Sequence, residues 1–354
     1  MKTGMLAIAL AAFTLTTPAL AVEKVKLTMS SSHNTIVPWV TALKSHVIAN
    51  SNKRLEAMGS KYRIEWTEAF GGVLYNFKDT LEAVQQGISD MGWVGALWEP
   101  AKMPMQNLMY AVPFSTSDVE VAVEIMNELN DTIPAMMNEW TKHNLKFLGA
   151  TVSDTYHLFT KFPVKKLSDL KGRKLVGATA LGPWLKGTGA VFVTGGLPTF
   201  YTQLQTGVAE GTVIIPNGAF SFKLHEVAKQ ITLVDLGSPT IGGFAVNMDT
   251  WKRLPADVQK VLGKLGREYS SVHARDVKTG YKKSLDKMAK AGATITTLPA
   301  AERQKWVDLL PNLAKDWVKA NEAKGLPARE AIKKFMAAAR KRGEKPLRDW
   351  DKGL

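Results

Sequence analysis

LSDLKGRKLVGATA (Leu167–Ala180) and, after a glycine-rich bend, FYTQLQTGVAEGTVIIP (Phe200–Pro216) decide how this 354-residue chain folds. Lys174–Gly177 and Gly211–Ile215 read as short strands, and Tyr201–Gly207 between them reads as helical. The segment separating the two phrases, GTGAVFVTGG (Gly187–Gly196), has the glycine spacing of neither a P-loop nor a dinucleotide fingerprint, and no basic residue follows it. It is expected to be a bend before Pro198.

Outward from this unit the same alternation recurs. Val25–Ser30 (VKLTMS) and Tyr62–Glu68 (YRIEWTE) alternate polar and apolar residues and read as strands, and Asp90–Val94 reads as a short buried one. Pro38–Met58 and Asp79–Gln86 are helical in pattern, the second closing at Gly87. Asp118–His143 reads as helices, and Lys146–Ala150 as a strand that leads through Thr151–His157 into a second set of strands. Gly243–Asn247 is expected to return to the first set, and Pro255–Ala291 is one long helical pattern. Strands separated by helical stretches indicate an α/β sheet with helices on both faces. Ligands of such sheets sit beyond the carboxyl ends of the strands, which gathers Ser31–Asn34, Phe70–Gly72 and Trp93–Trp98 around one cleft mouth.

The two opening phrases, with LEAVQQGISDMG (Leu81–Gly92), VPF (Val112–Phe114), KLHEVAKQIT (Lys223–Thr232) and MDTWKRLPADVQKVL (Met248–Leu262), resemble the periplasmic solute-binding proteins of tripartite ATP-independent (TRAP) transporters, of the C4-dicarboxylate-binding type. The resemblance covers almost all of the chain after residue 21. It implies an α/β, periplasmic-binding-protein-like fold of two lobes with a hinged cleft and a long bracing helix. It also implies a small organic solute and TRAP membrane permease subunits as partners, with no cofactor, no metal and no catalysis. On that layout residues 22–150 plus about 237–260 form one lobe, and 151–236 plus parts of 261–354 form the other, with the long helix spanning both. A monomer is expected.

One departure from the family bears on the solute. The family clamps a carboxylate with an Arg; counted from Lys171-Gly172, its place is held by Val176, and that of a pocket Asn three residues on by Thr179. Counted from Gly211, the place of the amide that meets the solute is held by Ile214. A guanidinium offers a planar, bidentate match to carboxylate that Val cannot imitate. Because an unpaired buried carboxylate is costly, the expected solute is an aromatic or apolar organic acid rather than a small dicarboxylate. An ordinary C4-dicarboxylate with its cation supplied elsewhere, and an exported enzyme using the same cleft, are the alternatives.

Candidate contacts in the first lobe are His33, Asn34, Phe70, Gly71, Trp93, Gly95 and Trp98, all in the cleft-mouth loops. In the second lobe, Tyr156 and His157 lie near the position where relatives place another polar contact. Trp184 follows Leu181-Gly182-Pro183 at a helix start, and Tyr201 matches the family's helix-start Tyr. These join Val176, Thr179 and Ile214. An aromatic from each lobe would sandwich a planar solute, each such contact adding about 0.5–1.5 kcal/mol beyond area burial. Trp140, Trp251, Trp306 and Trp317 lie in helical patterns and are expected to be core or surface anchors.

Composition narrows the remaining classes. Residues 1–21 carry Lys2, an apolar run Met5–Leu15 and a small-x-small end at Ala19-Leu20-Ala21, the pattern of a signal peptide, so export is expected; with the family resemblance it implies the periplasm of a Gram-negative cell. Cysteine is absent, so neither a disulfide framework nor a lipid-bearing Cys is expected. The formal charge is +14, but Arg329–Lys352 alone holds nine Lys/Arg against four Asp/Glu, so a solvated basic tail accounts for much of it. No nucleic-acid module accompanies that charge, and no nucleic-acid partner is expected. The six His are scattered singly, with no HExxH spacing for zinc, and no G-x-S-x-G elbow supplies a nucleophile.

Overall fold

The computed structural model describes residues 22–354, so the signal peptide expected over residues 1–21 lies outside the described residues. Eleven strands run through these residues in two sheets. They are β1 (Glu23–Ser30), β2 (Tyr62–Ala69), β3 (Met91–Val94), β4 (Leu145–Val152), β5 (His157–Thr160), β6 (Lys174–Gly177), β7 (Val191–Thr194), β8 (Gly211–Ile214), β9 (Gln230–Leu233), β10 (Thr240–Asn247) and β11 (Thr294–Thr297).

The first sheet has the order β2-β1-β3-β10-β4. β2, β1 and β3 are parallel, each return being made through a helix, while β10 lies antiparallel between β3 and β4. β10 is TIGGFAVN and is buried at every position, as a strand covered on both faces should be. The second sheet has the order β11-β9-β5-β8-β6-β7, with β8, β6 and β7 parallel. The strand expected at Gly243–Asn247 does join the first sheet. The expected bend at Gly187–Gly196 is corrected: its central residues Val191–Thr194 form edge strand β7, paired with β6. Glycines on both sides hid a strand of only four residues, and its side chains are part-exposed rather than alternating cleanly.

Two lobes built on these sheets are joined by chain crossings that pair with each other. Tyr156 N donates to Gly237 O at 3.1 Å, Leu236 N to Tyr156 O at 3.1 Å, and Ser153 N to Pro239 O at 3.1 Å. The 35-residue helix Ala256–Lys290 braces both lobes, and at 1.5 Å per residue it is about 50 Å long. Its first half is tied to the first lobe: Tyr269 Oη donates to Trp39 O, Ser270 Oγ to Ala150 O, and His273 Nε2 lies 2.6 Å from Val152 O. Its second half is tied to the second lobe through Asn217 Nδ2 to Val277 O and through Tyr281 to His157. The helix can approach β4 closely because glycines meet there: a Cβ on Gly149 would lie 2.4 Å from Gly266 O, and one on Gly266 would lie 2.5 Å from Leu148 Cβ.

Candidate functional site

Parallel strands of both sheets end facing the same space, and the residues just beyond each strand end supply its wall. After β1 comes His33, and Trp39 stands in the first turn of the next helix. β3 carries Trp93 and is followed by Leu97 and Trp98, while β10 contributes Ile241. From the second lobe come Tyr156 of the crossing, Ala178 and Leu181 after β6, Leu197 and Phe200 of the helix Leu197–Gln205, and Ile214 and Ile215 at the end of β8. Together they enclose a narrow cavity of about 40 Å³. The lining contains no Lys, Arg, Asp or Glu.

The first-lobe wall is an aromatic cluster built around His33. Its ring stacks on Trp98 at 5.8 Å and meets Trp39, Trp93 and Phe222 edge-on at 5.4, 5.4 and 6.4 Å. Nδ1 of His33 lies 3.0 Å from Ser32 Oγ. Burial among these rings pushes the imidazole down to about 3, so the ring is neutral at physiological pH. Gly95 makes this packing possible: a Cβ there would lie 2.5 Å from Cε3 and Cζ3 of Trp98 and 2.9 Å from Cη2 of Trp93. Its N–H is held by Thr80 Oγ1 at 2.9 Å. Trp39 is positioned from behind by the bracing helix through the Tyr269 hydroxyl on its carbonyl.

Trp98 also borders an outer, polar cavity lined by Asn76, Lys78, Glu99, Thr179, Thr199 and Gln203 among others. Phe77 packs 5.1 Å from Trp98 and reaches across to the other lobe, where a Cβ on Gly196 would lie 2.5 Å from its ring. An apolar inner chamber and a polar mouth therefore meet at the Phe77–Trp98 pair.

Of the residues singled out from sequence, His33, Trp93, Trp98, Tyr156 and Ile214 line the inner chamber, and Gly95 seats two of its tryptophans. Several others are placed elsewhere. Asn34 is exposed and turns its Oδ1 back to Ile36 N, while Gly71 donates to His33 O and Phe70 packs on the first-lobe core. Phe70 and Gly71 follow β2, the edge strand of the first sheet and one strand further from the cavity than β1, while Asn34 shares the loop after β1 with His33 but turns outward. His157 is fully buried outside the lining: its Nδ1 accepts from Val234 N and Asp235 N, so Nε2 holds the proton and faces Tyr281 Oη at 2.8 Å. It ties the crossing together. Val176 is fully buried within the second sheet and does not line the cavity, and Thr179 faces the outer mouth. Trp184 is buried behind Tyr156, edge-on at 5.8 Å, with its indole N–H on Tyr110 O. Tyr201 points its hydroxyl toward Glu226, outside the chamber.

The residues missed from sequence include Trp39, Leu197 and Phe200. The signal for the last two was present, since Leu197, Phe200 and Leu204 are the buried face of their helix at helical spacing, with Tyr201 one position off it. Among the described residues no group of three His, Asp or Glu converges as a metal site would need. No helix among them is long and apolar enough to cross a membrane.

Comparison with known proteins agrees with this architecture. The family model for bacterial extracellular solute-binding protein, family 7, matches residues 44–321. The C4-dicarboxylate-binding periplasmic protein DctP of Rhodobacter capsulatus is 27% identical over 243 residues, covering 67% of this chain and 71% of that one. Among solved structures, a TRAP solute-binding protein of Rhodoferax ferrireducens T118 in complex with copurified benzoate superposes with a TM-score of 0.80 at 20% identity, over 90% of this chain and 98% of that one. A marine metagenome TRAP solute-binding protein specific for aromatic acid ligands, from an unidentified microbe and holding 3-hydroxybenzoate, superposes with a TM-score of 0.78 at 22% identity, over 90% and 99%.

Proposed function

The chain belongs to the bacterial extracellular solute-binding protein family 7, and on that premise we propose that it is a periplasmic TRAP receptor that captures an aromatic or apolar organic acid between its lobes and presents it to a membrane permease. One observation carries the choice of solute: the inter-lobe chamber is walled by Trp39, Trp93, Trp98, Tyr156 and Phe200 with aliphatic side chains between them, and no charged residue lines it. A dicarboxylate would place two anions in that wall with no cation to meet them, and burying unpaired charge is prohibitive. A single carboxylate on a ring leaves most of the solute's surface apolar and matched to the lining. The aromatic acids held by two structurally similar receptors support the same class.

Capture follows from the size of the chamber. At about 40 Å³ it is far smaller than the roughly 150 Å³ in which a benzene ring is accommodated, so a ring enters when the lobes part and is held with the walls set wider than they stand here. The solute touches both walls only when they come together again, and it thereby shifts the population toward the closed arrangement. No chemistry is required of the site. Ser32 and His33 form a pair, but no carboxylate lines the chamber to orient the imidazole as a hydrolytic triad needs.

A thermal-shift series tests this reading, because a ligand that binds only the folded protein raises its melting temperature. Benzoate, 3-hydroxybenzoate and mandelate are expected to raise it, and succinate, malate and fumarate to leave it unchanged. Stabilisation by the dicarboxylates alone would overturn the assignment.

A further inference from the structure

The tryptophans around the chamber differ from those packed elsewhere in what their indole N–H groups do. Five of the seven tryptophans outside the chamber, all but the part-exposed Trp251 and Trp317, each donate to an identified acceptor: Trp66 to Ser51 Oγ at 2.9 Å, Trp140 to Asn130 Oδ1 at 3.1 Å, Trp184 to Tyr110 O at 2.8 Å, Trp306 to Trp184 O at 2.7 Å and Trp350 to Pro113 O at 2.7 Å. Trp39, Trp93 and Trp98 have buried indole nitrogens with no hydrogen-bond partner. All three line the chamber, and all three pack around His33. Indole Nε1–H is a donor and nothing else, and a buried donor left unsatisfied costs more than a typical hydrogen bond contributes. Ring faces nearby offer only a weak substitute. The three unmet donors thus belong to side chains that together form one wall of one cavity.

Resting on the aromatic-acid reading above, we propose that Trp39, Trp93 and Trp98 hold the solute's carboxylate through their indole N–H groups, so that anion recognition is made by uncharged donors of the first lobe. An anion does not need a formal cation when enough neutral donors converge on it: a carboxylate accepting two or three N–H bonds is stabilised in its ionised form. Each such bond is charge-assisted on the acceptor side and stronger than a neutral pair. The orientation of Trp98 suits this role, because its Cε3–Cζ3 edge abuts Gly95 and the opposite, N–H-bearing edge is turned away from that backbone. The ring of the acid then faces Tyr156, Phe200 and the aliphatic residues of the second lobe. The arrangement selects for one carboxylate on a flat apolar body, since a second carboxylate would face the wall that has no donors to spare.

The test uses benzoate, the full-length mature chain and the exchanges Trp39→Phe, Trp93→Phe and Trp98→Phe, which keep a ring and remove the N–H. Calorimetric titration is expected to show each exchange weakening benzoate by about tenfold or more, the size of a hydrogen bond to a charged group, while toluene, which has no acceptor, changes little. Lys78→Met, in the outer mouth, is expected to leave benzoate binding unchanged. A second readout does not depend on the variants folding: in nitrogen-edited proton spectra of the wild type, benzoate should move the indole N–H signals of Trp39, Trp93 and Trp98 downfield and leave those of Trp140 and Trp350 in place. Unmoved indole signals, or benzoate affinity that survives all three exchanges and is lost in Lys78→Met, overturn the proposal while leaving the aromatic-acid reading intact. A wild type that binds no benzoate or other aromatic acid overturns both.

Discussion

His33 and His157 are both fully enclosed, and burial lowers both imidazoles to about 3, yet only one belongs to the chamber wall. The difference is partnership: both nitrogens of His157 are engaged within the crossing, by Val234 and Asp235 on one side and Tyr281 on the other, whereas His33 sits amid rings. Sequence alone places both beside the cleft because it shows which loop a residue is on, not which neighbours satisfy it. Val176 makes the same point. The motif places it where relatives carry a carboxylate-clamping Arg, but its side chain is packed inside the second sheet at 0% exposure. Val176→Arg is therefore expected to destabilise the protein by about 3–5 kcal/mol, the scale of an uncompensated buried charge, without creating a succinate site. Urea denaturation would show the loss, and a variant of unchanged stability that gains succinate affinity would mean that position 176 opens onto the cleft after all.

At the scale of elements, period and turn chemistry place the parallel strands and the bracing helix within a few residues, because each is long or strongly patterned. The expected helix Pro255–Ala291 is observed as Ala256–Lys290, and the expected strand Tyr62–Glu68 as Tyr62–Ala69. β7 escaped because four part-exposed residues between glycines carry almost no periodic signal. The pairing of helix with sheet also lay beyond the pattern, since nothing local announces that Gly149 and Gly266, 117 positions apart, meet face to face. That contact fixes how deep the bracing helix sits on β4, and with it the Tyr269 hydroxyl that anchors Trp39. Gly266→Val should force the two apart, lower stability by about 1–3 kcal/mol as overpacking does, and weaken benzoate binding through Trp39. Melting and titration of this variant check both, and a fully stable variant would show that the close approach can relax.

For the whole molecule, the two-lobed layout was legible from the alternation of strands and helices together with the family phrases, while the composition of the chamber was legible only in part. Trp39, Leu97, the helix carrying Leu197 and Phe200, and Ile241 come from four separate segments that only the assembled fold brings together. The paired crossings at Ser153–Tyr156 and Leu236–Pro239, with the helix beside them, join the two sheets, so a hinge proposed there would part the lobes without unfolding either sheet. The central claim is that an aromatic acid closes this hinge and a dicarboxylate does not. Small-angle X-ray scattering of the purified protein, alone and with saturating benzoate or succinate, tests it most directly. The account predicts a smaller radius of gyration with benzoate and no change with succinate; compaction by succinate, or a radius that benzoate leaves unaltered, would contradict it.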